Sequence, residues 1–81
     1  MSANETQGGG AAPRCLVDLK DGQTGIIRKN GDRKSTEMGL FPGARVVMFR
    51  NRKSEMSVVI GAGDARFLVS RAIAMKVELE G

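Results

Sequence analysis

Few residues in this chain have the chemistry for catalysis. Histidine is absent, which removes the commonest general base and the commonest metal ligand together. The single cysteine, Cys15, has only Arg14 beside it as an activating charge and no base nearby in sequence. A nucleophile depends on a positioned base, so a bystander thiol is the expectation. The nine carboxylates are scattered without ligand or glycosidase spacing. Gly61-Ala62-Gly63 starts like a dinucleotide fingerprint, but the third glycine is missing and the strand-like Phe67-Leu68-Val69 follows instead of a helix. Of the methionines, Met48, Met56 and Met75 lie in or beside apolar stretches and read as core gap-fillers. These features predict a binding module without cofactor or metal, and not an enzyme.

The residues that do suggest binding are basic. From Arg28 to Lys53 there are eight Lys/Arg against two Asp/Glu, a local excess of +6 within a chain of net charge +4. Such a window fits an acidic partner: nucleic acid, an anionic membrane surface or an acidic protein face. Arg50, Arg52 and Lys53 fall together in one predicted loop and form the candidate contact group. The stretch EMGLFPGARVVMF adds an apolar candidate, Phe41, on a Pro-Gly turn. Its side chain either packs over the end of a barrel or stands out as an anchor for a partner.

An 81-residue chain bounds the answer to one domain. Residues 1–13 are Gly-, Ala- and polar-rich and predict a disordered tail, leaving 14–81 as the folded domain. Without a signal-peptide core or an apolar run of about 18 residues, no membrane insertion is expected and a cytoplasmic location is the default. One cysteine allows no internal disulfide, which fits a reducing compartment.

Strands are predicted over Thr24–Lys29, Ala44–Arg50, Val58–Ile60, Ala65–Ser70 and Val77–Leu79. Asn30-Gly31 reads as a turn using positive φ, and Gly61 to Asp64 as a four-residue hairpin loop. Asp32 should cap a short helix that ends at Gly39, weakened by Arg33 and Lys34 in its first turn. Pro42-Gly43 has the chemistry of a type II turn, and Gly39 and Gly43 should both hold positive φ. Ser70 to Ala74 predicts one further helical turn. Five short strands with glycines at the corners point to a mainly β fold, a small barrel of about five strands with one short helix.

Three segments in order resemble the FeoA family of ferrous iron transport proteins. They are LVDLKDGQTGII from Leu16 to Ile27, Met38-Gly39-Leu40-Phe41-Pro42-Gly43, and Ser70-Arg71-Ala72-Ile73-Ala74-Met75-Lys76-Val77-Glu78-Leu79. The chain departs from the family pattern at Ser35 and Thr36, where apolar residues are usual, and at Ser70, where glycine is usual. The resemblance implies an SH3-like barrel in which Leu40 and Pro42-Gly43 close one end. It also implies an accessory regulator of the FeoB-type ferrous iron transporter, acting on its GTP-binding domain. Two other readings remain at this point: a small SH3-like nucleic-acid-binding domain, or the detached barrel domain of a metal-dependent repressor. Against nucleic acid, the chain has no Trp or Tyr to stack on bases.

Overall fold

The computed structural model describes residues 14–80; the tail predicted over 1–13 lies outside them. After a 3₁₀ turn at Leu16–Asp18 come β1 (Thr24–Asn30), α1 (Arg33–Met38), β2 (Arg45–Arg50), β3 (Ser57–Ala62), β4 (Ala65–Ser70), the single-turn α2 (Arg71–Ala74) and β5 (Val77–Leu79). The five strands form one antiparallel sheet in the order β4–β3–β2–β1–β5. The ladder shifts register twice, at Met48/Arg50 between β2 and β3 and at Ile27/Lys29 between β1 and β5. Such bulges bend the bulged strand and increase its twist, which curls a sheet around its own core.

Alternation along the strands fills that core. Val46 and Met48 of β2, Val58 and Ile60 of β3, and Val77 and Leu79 of β5 turn inward. Leu16, Leu19, Ile27, Leu40, Val69 and Ala74 join them in one cluster. The first of the three segments therefore serves packing. Leu16, Leu19 and Ile27 are buried, Gly22 turns the chain at φ 86°, and Gly25 leaves room for Leu79, whose Cδ1 would lie 3.0 Å from an added Cβ.

Most predicted elements form where expected, with four corrections. Met48 is core, but Met56 and Met75 are 84% and 63% exposed, because they sit in the β2–β3 loop and after α2, beyond the reach of the strand alternation. The β3–β4 connection is a two-residue turn, Gly63-Asp64, since Gly61 and Ala62 pair with Arg66 and Ala65. Gly61 is buried beneath the Phe49 ring rather than part of a loop. The Asn30-Gly31 turn forms without left-handed geometry at Gly31; among the described residues the positive-φ glycines are 22, 39, 43 and 63. The Asn30 side chain makes that turn instead, with Oδ1 accepting from the Asp32 N–H at 2.8 Å.

The departures at Ser35, Thr36 and Ser70 have local work. Ser35 is the one buried polar residue described, and its Oγ accepts from Asn30 Nδ2 at 2.9 Å. The Thr36 hydroxyl donates to the Asp32 carbonyl at 2.7 Å. Asp32 caps α1 through Oδ2, which accepts from the Ser35 N–H at 2.8 Å. Ser70 caps α2, with Oγ accepting from the Ile73 N–H at 3.2 Å.

Candidate partner-docking surfaces

The turn after α1 is held from several sides. Gly39 ends the helix at φ 132°, a value side-chain-bearing residues rarely adopt. The Leu40 N–H donates to the Ser35 carbonyl at 3.0 Å, and the Leu40 carbonyl accepts from Asn30 Nδ2 at 2.9 Å. Leu40 thus enters the core, and the chain reverses through Pro42-Gly43. Gly43 has φ 93°, and the Ala44 N–H closes the turn on the Phe41 carbonyl at 3.0 Å. The Gly43 N–H donates to the Ile27 carbonyl at 2.7 Å, tying the turn to β1. Phe41 lies at its start, 51% exposed, on a backbone that has little freedom.

The basic group is placed at the far end of β2. Phe41 precedes that strand, whereas Arg50 closes it and Arg52 and Lys53 follow, so the length of β2, about 17 Å at ~3.3 Å per residue, lies between them. The fold does not gather the four residues into one spot. Two of the cations are already occupied. Arg50 makes a bidentate pair with Glu55, at 2.9 and 2.8 Å, and Arg52 pairs with Asp21. The Arg50 guanidinium holds the Glu55 carboxyl below its ordinary range, and Arg52, followed by the Asn51 N–H, does the same for Asp21. Lys53 has no acidic partner among the described residues.

Sequence reasoning missed an apolar groove between α1 and the edge strand β4. It has a volume of about 240 Å³, and Met38, Leu40, Phe67, Leu68 and Ile73 line it. Leu68 is 75% exposed there. The available signal was the unbroken apolar run Phe67-Leu68-Val69 in a strand that pairs on one side only. On the outer sheet face, Phe49 lies over Gly61 with the Arg66 guanidinium 4.2 Å from its ring centre.

Nothing in this geometry favours chemistry at Cys15. Its thiol donates weakly to Asp18 Oδ2 at 3.6 Å, and burial, outweighing a lowering backbone contact from Val17, pushes its pKa up from the ordinary value. That keeps it a thiol rather than a thiolate. Among the described residues no group of three or more His, Cys, Asp or Glu side chains could hold a metal ion. No helix among them is long and apolar enough to cross a membrane.

A family model for the FeoA domain matches residues 14–81, which include every described residue. The chain belongs to the FeoA domain family. Its fold agrees with solved relatives. An iron uptake regulatory protein (FeoA) is 27% identical at a TM-score of 0.71, over 80% of this chain and 92% of that one. FeoA from Stenotrophomonas maltophilia is 19% identical at a TM-score of 0.74, over 82% of this chain and 88% of that one. That protein was solved with zinc and is described as a prokaryotic SH3 domain protein and candidate ferrous iron transport activating factor. Iron(II) transport protein A from Clostridium thermocellum is 18% identical at a TM-score of 0.70, over 82% of this chain and 44% of that one. No curated protein sequence matches. The expected SH3-like, mainly β architecture therefore holds for this FeoA domain, and its family is one associated with ferrous iron transport.

Proposed function

We propose that this FeoA protein is a non-catalytic, cytoplasmic accessory of ferrous iron uptake that docks on the GTP-binding domain of the FeoB-type transporter. The observation that carries the reading is Phe41: a large apolar side chain, half exposed on a turn fixed by Gly39, Pro42 and Gly43. An anchor held in place before binding loses little conformational freedom on docking, and aromatic anchors of this kind dominate interface energies. To modulate a GTPase, the domain must bind one nucleotide state better than the other. Nucleic acid fits less well, because Arg50 and Arg52 are committed to Glu55 and Asp21.

The test is a calorimetric titration of the purified transporter domain, loaded with GDP or a GTP analogue, with wild type and Phe41→Ala. Wild type should prefer one nucleotide state. Phe41→Ala should bind weaker by about 1 kcal/mol or more, the usual threshold for an anchor. Equal affinity of the two proteins removes Phe41 from the interface. Absence of binding in both nucleotide states ends the reading.

A further inference from the structure

The surface carries one hollow whose lining is of nearly uniform charge. It opens where the 3₁₀ turn, the β2–β3 loop and α2 meet, has a volume of about 420 Å³, and is lined by Lys20, Asp21, Arg52, Lys53, Arg71 and Met75 among others. Four cations against one carboxylate leave +3, and that carboxylate, Asp21, is taken by Arg52. Arg71 is fixed through main-chain oxygens rather than by an ion pair. Its Nε donates to the Glu55 carbonyl at 3.0 Å and its Nη2 to the Arg52 carbonyl at 2.6 Å, both main-chain oxygens. Glu55, the nearest acidic side chain of the loop, is held by Arg50. Neither Lys20, Lys53 nor Arg71 has an acidic partner among the described residues.

A second observation concerns Asn51, which also lines the hollow. Its Nδ2 donates to the Val17 and Leu19 carbonyls at 2.9 and 2.8 Å, which fixes the orientation of the amide. The amide thereby ties the start of the β2–β3 loop to the 3₁₀ turn, two walls of the hollow. The hollow thus offers cations for an oxyanion beside apolar side chains, Val17 and Met75. A free phosphate brings no apolar group. A polypeptide segment supplies both, a side-chain carboxylate and an apolar neighbour.

We propose that this hollow receives an acidic extended segment of the partner protein, with one Asp or Glu carboxylate seated among Lys20, Lys53 and Arg71. An apolar neighbour of that residue rests on Met75, which is 63% exposed. The proposal rests on the docking reading above. It transfers the charged contact from Arg50 and Arg52, which are already paired, to Lys20, Lys53 and Arg71.

The experiment uses the full chain labelled with ¹⁵N and two probes, a short peptide alternating Glu and Ala and the transporter's GTP-binding domain. The peptide should shift the amides of Lys20, Asn51, Lys53 and Arg71. The double reversal Lys20→Glu/Lys53→Glu changes two exposed, unpaired side chains and should leave the fold intact. At low ionic strength it should weaken both peptide and domain binding by about tenfold or more, with the difference shrinking as salt screens the charges. Shifts centred elsewhere, or no shifts, overturn the proposal. So does tighter occupation of the hollow by inorganic phosphate, phosphatidylglycerol vesicles or duplex DNA than by the peptide. If Phe41→Ala weakens domain binding and the double reversal does not, the hollow proposal falls alone. If wild type fails to bind the domain, the docking reading falls and the peptide map still decides the chemistry of the hollow.

Discussion

Replacing Gly39 by alanine tests the link between the second sequence segment and the presentation of Phe41. Gly39 holds φ 132° and ψ −4°, well outside the left-handed well that an L-residue can reach near φ 57°. Conformations of that kind cost of order 1–3 kcal/mol. Space is not the problem, because an added Cβ would lie 3.6 Å from Phe67 Cζ, an ordinary contact. Against the strain stands the smaller entropy of an unfolded chain carrying Ala, worth about 0.4–1 kcal/mol in the stabilising direction. The net is a destabilisation of about 1–2 kcal/mol. For a domain of this size each kcal/mol lowers the midpoint by roughly 4–8 °C, so a fall of about 4–16 °C is expected. The chain has no Trp or Tyr, so thermal unfolding is followed by calorimetry or far-ultraviolet circular dichroism. A midpoint within about a degree of wild type would refute the strain argument. It would mean that the turn relaxes to ordinary geometry without loss.

Gly61→Ala should destabilise by about 1 kcal/mol, since its Cβ would lie 3.1 Å from Phe49 Cζ and nearer still to Cε2, driving the ring off its rotamer and away from Arg66. Combining it with Phe49→Ala should restore the Gly61→Ala increment, and additive losses in the double mutant would show that the ring is not what Gly61 accommodates. Acid should destabilise the protein. The Ser35 N–H holds Asp32 below the ordinary 3.8, the Cys15 N–H does the same for Asp18, and Arg28 holds Glu78 below 4.5. Because each folded value lies below the unfolded one, the folded state binds fewer protons, and stability is full above the ordinary values and lost as pH falls through the folded ones. Melting temperatures should therefore be flat from neutral pH down to about 5 and fall below about 4. A midpoint that rises on acidification would reverse the sign of this linkage.

Local chemistry left clear marks in the sequence. Asp32, Gly39, Pro42-Gly43 and Ser70 act within four residues of themselves, through caps and turns, so their roles could be read from neighbours alone. Val77-Glu78-Leu79 alternates in the sequence, and Val77 and Leu79 are buried for the same reason, whereas the unbroken apolar runs Val46–Phe49 and Val58–Ile60 do not show which face turns inward. Long-range chemistry left no such mark. That Arg52 is neutralised depends on Asp21, brought over from a distant part of the chain by strand pairing. Lys20 and Arg71 join Lys53 only because the first turn and α2 pack against the same loop.

The composition and motifs by themselves determined that this is a small β domain of the FeoA type with a basic middle and Phe41 on a Pro-Gly turn, but not which way that ring faces. A charge count along a chain records how many cations there are, not which are paired. Only the tertiary structure decided that. It put Phe41 and the basic loop at opposite ends of β2, because an extended strand separates its flanking residues by about 3.3 Å for every residue it contains. It also left Lys20, Lys53 and Arg71 as the cations facing an open hollow, since packing brings together charges that the sequence keeps far apart.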